Sequence, residues 1–125
     1  MGWRRIASLA LGYRWVVVTR VAGILLAAGD GTRLGQPDWG WESRSLAMHL
    51  LASDEDDDIY LIANAHWEPH AFELPPLPPG RSWRRFVDTG REPPEDAVEP
   101  GTENALPAQT SHQVGPRSTV VLVGR

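Results

Sequence analysis

The chain contains no cysteine and no lysine. The first absence removes disulfides, thiolate nucleophiles and cysteine-ligated zinc together. The second leaves all 12 basic residues as arginine, set against 16 acids for a formal net charge of -4. That balance lacks the basic stripe of a nucleic-acid-binding protein, and none is expected as a partner. Long uncharged apolar runs are missing too, because Arg14 and Arg20 interrupt Ile6 to Gly29. No membrane-spanning segment is therefore expected. Arg4 and Arg5 ahead of Ile6 to Tyr13, with Leu26-Ala27-Ala28-Gly29 further on, imitate a secretory leader. The same two arginines weaken that reading and favour a cytoplasmic location. At 125 residues the chain has room for one compact domain, and 12 glycines with 11 prolines imply many turns.

From Ser45 onward, short apolar runs alternate with turn residues, as in antiparallel β structure. Strands are expected at Ser45 to Leu51, Ile59 to Ala65, His70 to Leu74, Trp83 to Asp88 and Ser118 to Val123. Ile59, Leu61 and Ala63 share one face of the second strand, and Tyr60, Ile62 and Asn64 the other. Both faces are mostly apolar, so this strand belongs in the centre of a sandwich. The acids Asp54 to Asp58 read as a solvated loop. Pro75, Pro76, Pro78, Pro79 and Gly80 connect two strands, since proline donates no backbone hydrogen bond. Gly90 to Gln113 is poor in large apolar residues and reads as a long exposed excursion. No helix is expected after Asp38.

Four local features bear on chemistry. Val21 to Gly35 ends in Leu26-Ala27-Ala28-Gly29-Asp30-Gly31-Thr32-Arg33. It resembles the first strand and phosphate loop of sugar-phosphate and cofactor nucleotidyltransferases. Under that reading the Gly29 to Gly35 loop, with Gly29, Gly31, Thr32 and Arg33, would cradle phosphate. The family's following Pro-Lys pair is replaced here by Gln36-Pro37-Asp38-Trp39. His66-Trp67-Glu68-Pro69-His70 places two imidazoles four apart around a carboxylate. Pro69 forbids the helix on which such spacing normally binds zinc, so a hairpin turn is the expectation and no metal site is assigned. Trp39 and Trp41 flank Gly40 and are candidate carbohydrate contacts, although burial is the default for these tryptophans and for Trp67 and Trp83. His49 and His112 are expected at the surface or in loops, and Ser111-His112 carries no nucleophile signature. Neither a catalytic residue nor a cofactor is assigned.

A wider pattern runs through Gly31-Thr32-Arg33-Leu34-Gly35-Gln36-Pro37-Asp38-Trp39, Ser43-Arg44-Ser45-Leu46-Ala47 and Ile62-Ala63-Asn64-Ala65-His66-Trp67-Glu68-Pro69. It continues in Phe72-Glu73-Leu74-Pro75, Trp83-Arg84-Arg85-Phe86-Val87-Asp88-Thr89 and Pro116-Arg117-Ser118-Thr119-Val120-Val121-Leu122. In order and spacing it resembles the C-terminal end of bacterial glycogen debranching enzymes of the isoamylase type, in glycoside hydrolase family 13. The resemblance implies an all-β fold, a small antiparallel sandwich over residues 31–125, packed in the parent enzyme against a catalytic (β/α)8 barrel. That barrel would hydrolyse α-1,6 branch linkages of glycogen with two carboxylates absent from this chain. A non-catalytic accessory domain or fragment is the expected function, with the barrel and α-glucan as partners. A nucleotidyltransferase and a carbohydrate-binding module are the alternatives. Residues 1–30 match nothing in the pattern and would dock, if at all, as an added helix or strand over the face left bare by the barrel.

Overall fold

The computed structural model describes residues 32–36, 40–52 and 56–125. The segment 1–30, Gly31, Trp39 and the acids Asp54 and Glu55 lie outside them. The described residues form two antiparallel sheets and no helix. Seven strands are present: β1 (Ser45–Leu50), β2 (Asp58–Asn64), β3 (His70–Glu73), β4 (Trp83–Asp88), β5 (Asn104–Ala105), β6 (Ser111–Val114) and β7 (Ser118–Gly124). The larger sheet runs β1-β2-β7-β4-β5, and β3 pairs with β6 in the smaller one.

The expected all-β sandwich is the observed fold, and β2 is an interior strand, paired with β1 and with β7. Its alternation is also as expected. Tyr60, Ile62 and Asn64 face the smaller sheet and are buried, while Ile59, Leu61 and Ala63 point the other way. Ile62 lies opposite Val120 and Tyr60 opposite Leu122. With Trp83 from β4, Phe72 from β3 and Val114 from β6, these side chains make the core between the sheets. Phe86 is the extra residue of a bulge, since Arg85 pairs with Leu122 and Val87 already with Val121.

The proline-rich connection runs from β3 to β4 as expected, and it is not merely a surface loop. Leu77 reaches the core, and a Cβ on Gly124 would come within 2.8 Å of the Leu77 side chain. Residues 90–113 depart from the expected excursion. They contain β5 and most of β6, and Glu103 and Leu106 are buried. These strands carry almost no apolar signal of their own; β5 is exposed at both residues, and Val114 alone is buried on β6. Pairing, rather than periodicity, defines them.

Candidate functional site

Strand periodicity and register together build a second apolar surface on the outer face of the larger sheet. Leu46 lies opposite Ala63, Met48 opposite Leu61 opposite Val121, and Leu50 opposite Ile59 opposite Val123. On this face Leu46 is 41% exposed and Leu50 and Ile59 are each 36% exposed. An antiparallel sheet with one wet face normally turns polar residues outward, so apolar rows on both faces mark a sheet built to be covered twice. The signal was present in the two apolar faces of β2; which face stays open needed the register.

Of the sequence-predicted contact residues, Trp41, Thr32 and Arg33 are among the described residues. Trp41 stands 94% exposed in the turn that precedes β1, where Ser43 donates its amide to Gly40. Trp67 is also exposed, with the Arg44 guanidinium 5.0 Å from its ring centroid, and only Trp83 of these three takes the expected buried position. Trp39 lies outside the described residues. Of the proposed phosphate loop, Gly29 and Gly31 lie outside them as well, whereas Thr32 and Arg33 sit in a turn strapped to β3. The Thr32 carbonyl accepts the Glu73 amide at 3.0 Å, and the Leu34 amide donates to Glu73 Oε2 at 3.0 Å. A carboxylate thus occupies an amide that a phosphate cradle would need, and its charge repels phosphate.

Two buried polar clusters were missed. His49, expected at the surface, lies on the inner face of β1 with Nε2 2.9 Å from Asp58 Oδ2, and its ring meets Tyr60 and Trp83 edge-on at 5.9 and 5.6 Å. Asp58, expected in a solvated acidic loop, is buried. It also accepts the Ala52 amide at 3.1 Å and stands 3.6 Å from Arg81. The neighbouring Asp57 pairs with Arg125 at 2.9 Å. The His49–Asp58 pair has the form of a base and its orienting carboxylate, but packed aromatic rings close it off, so it serves the core. Composition shows five adjacent charges and cannot show that an arginine 23 residues on is folded against one of them.

Glu103 is the second. Its side chain is almost wholly buried; it accepts the Gly101 amide at 2.9 Å and lies 3.5 Å from Arg125. Burial by itself pushes this carboxyl up. The Gly101 amide, its own amide, Arg125 and Arg84 outweigh burial and hold it below the ordinary value of 4.5. His112, expected at the surface or in a loop, lies on β6 with Nε2 unpartnered. Burial pushes its imidazole below the ordinary 6.5; Asp88 opposes this, and Arg85 and Arg91 add to it. Both folded-state values lie below the unfolded ones, so both groups contribute stability that is complete above the unfolded value and is lost as pH falls through the folded one. Urea midpoints are therefore expected to decline in two stages, from 6.5 downward for His112 and from 4.5 downward for Glu103. In His112→Gln the upper stage should vanish; if it persists unchanged, another group causes it.

The turn between β2 and β3 departs from expectation in a different way. It is a strand-turn-strand, as read, yet one ligand atom from each of His66, Glu68 and His70 lies within 4.8 Å of the others. The helix that Pro69 forbids is not required to bring them together.

Comparison with known proteins places the fold in a family. Over 81 residues the chain is 35% identical to the rice protein isoamylase 3, chloroplastic (Oryza sativa subsp. japonica), a match covering 65% of this chain and 10% of the rice protein. It thus spans about a tenth of the length of the curated relative it matches. Residues 29–119, the glycine-rich Gly29 to Gly35 segment included, match the family described as isoamylase 1-3, C-terminal. That match takes in most of the sequence, all of β1 to β6 and the start of β7, and the chain belongs to the family of isoamylase C-terminal domains.

Proposed function

We propose that the chain is a non-catalytic accessory domain that seats the outer face of its larger sheet on the catalytic (β/α)8 barrel of an isoamylase-type debranching enzyme. The barrel hydrolyses α-1,6 branch linkages, and the sandwich stabilises it. The carrying observation is the set of aligned apolar rows through Leu46, Met48, Leu50, Ile59, Leu61 and Val121 on a face with large side chains still exposed. A covered sheet buries such rows, and burial stabilises by about 25 cal/mol per Å² of apolar surface. The buried carboxylates support a non-catalytic reading. Retaining hydrolysis needs two carboxylates about 5 Å apart at a substrate cleft. Here Asp58, Asp88 and Glu103 are each engaged by backbone amides and by arginine. The exposed indole of Trp41 supports an added contact with α-glucan, since its faces are open to sugar rings.

The test mixes the full chain with an isoamylase-type enzyme lacking its C-terminal domain. Alone, the chain is expected to release no reducing ends from branched glucan. In the mixture it should bind the truncated enzyme and raise its thermal midpoint. Leu46→Asp with Ile59→Asp puts two charges on the outer face and leaves the inner face untouched. Affinity should fall at least about tenfold, because each buried unpaired carboxylate costs more than the about 1.4 kcal/mol that a decade represents. Equal binding by the double variant, or a wild-type chain that pairs only with itself, would sink the reading.

A further inference from the structure

We propose that the turn joining β2 to β3 binds one divalent first-row transition-metal ion through His66 Nδ1, His70 Nε2 and the Glu68 carboxylate. One ligand atom from each of the three residues lies within 4.8 Å of the others, and the two imidazole centroids are 4.9 Å apart. Bonds of about 2.0–2.1 Å in a tetrahedral site set donors about 3.3 Å apart.

A second observation points independently to a ligand. His66 Nδ1 and His70 Nε2 are both withdrawn from solvent, and neither has a hydrogen-bond partner. Buried ring nitrogens are ordinarily paired, and an orphan calls for an explanation such as an ion. A cation held between these imidazoles and the nearby Glu68 carboxylate would satisfy both nitrogens at once.

The backbone carrying the donors is held in place. Asn64, buried at the end of β2, donates through Nδ2 to the carbonyls of Glu68 at 2.9 Å and Gly115 at 3.0 Å, and its Oδ1 accepts the His66 amide at 3.1 Å. Arg117 donates its amide to the His66 carbonyl at 2.9 Å. Asn64 is thus a positioning residue for the turn, and such a support keeps an empty site close to its bound shape. Donor type selects the metal. Two imidazoles with one carboxylate suit zinc and its first-row neighbours, whereas calcium and magnesium prefer oxygen alone. Three protein ligands leave a coordination position for water or for a group from a partner. His66 follows β2 of the larger sheet and His70 opens β3 of the smaller one, so the ion would staple the two sheets at one end.

The experiment titrates Zn2+ into the full chain, freed of metal and of any histidine tag, by calorimetry. One ion per chain is expected with micromolar or tighter affinity, weakened at least about tenfold in His66→Gln and in His70→Gln, which is the scale on which lesser, outer-shell changes already act. Replacing zinc by Co2+ should give the visible bands of a four-coordinate site, and far-ultraviolet circular dichroism should show both variants folded. Should a variant fail to fold, nuclear magnetic resonance of the wild-type chain decides, with zinc-induced shifts expected to centre on residues 64–72. Absence of zinc uptake at 100-fold excess over the chain, uptake indifferent to both substitutions, or shifts centred elsewhere would overturn the proposal.

Discussion

Trp83→Ala is expected to abolish cooperative unfolding at room temperature or to lower stability by about 3–5 kcal/mol, the range for truncating a buried tryptophan. A domain of roughly 90 residues holds only about 4–13 kcal/mol in total. Trp83 is 1% exposed and belongs to the core between the two sheets. Its ring lies 5.7 Å from Tyr60 and 5.6 Å from His49, its indole N–H donates to the Pro75 carbonyl at 2.7 Å, and its backbone is bracketed by the Gln109 side chain. Truncation would open a cavity and leave a buried carbonyl unpaired at once. Trp83→Phe separates these effects in part: it keeps a six-membered ring but loses the N–H and leaves a smaller cavity, so its cost should lie between the about 1–3 kcal/mol of one unsatisfied group and the full Trp83→Ala loss. Urea unfolding followed by circular dichroism reads both. A Trp83→Ala midpoint within error of the wild type would mean that the core does not close on this residue.

Asp58→Ala should cost a similar amount, about 3–5 kcal/mol, by another mechanism. Removing this carboxylate leaves His49 buried against aromatic rings, Arg81 without its nearest acid, and the Ala52 amide without its acceptor. The pair itself contributes less than that figure, because desolvating two polar groups offsets much of their attraction. A cycle that adds His49→Phe tests this. The double variant should be more stable than Asp58→Ala alone, since a ring that cannot be stranded replaces one that is. If the two losses simply add, His49 and Asp58 are not coupled and the 2.9 Å contact carries no weight.

The strands with strong alternation were legible because their side chains meet the core by period two. β2 and β7 bury apolar residues with period two, and the prolines from Pro75 to Pro79 could only be a connection. β5 and β6 were not legible for a physical reason. Asn104–Ala105 and Ser111–Val114 are edge segments that contribute one buried apolar side chain between them, and they are strands because β4 and β3 supply partners in register. The buried charges were hidden likewise, since a charge reads as exposed until its counter-charge is placed beside it.

By itself, the sequence determined an all-β sandwich of isoamylase type, the two faces of β2, and the lack of any signature for a nucleophile. Those follow from local properties: alternation, the missing amide of proline, and residue order along a family pattern. Tertiary structure alone decided that the last strand, β7, inserts between β2 and β4, and that Leu46, Leu50 and Ile59 stay open on aligned apolar rows. It alone buried Asp58 beside His49 and turned His66, Glu68 and His70 toward one point. Each of these depends on which distant segment lies alongside, and no periodicity within a few residues carries that information.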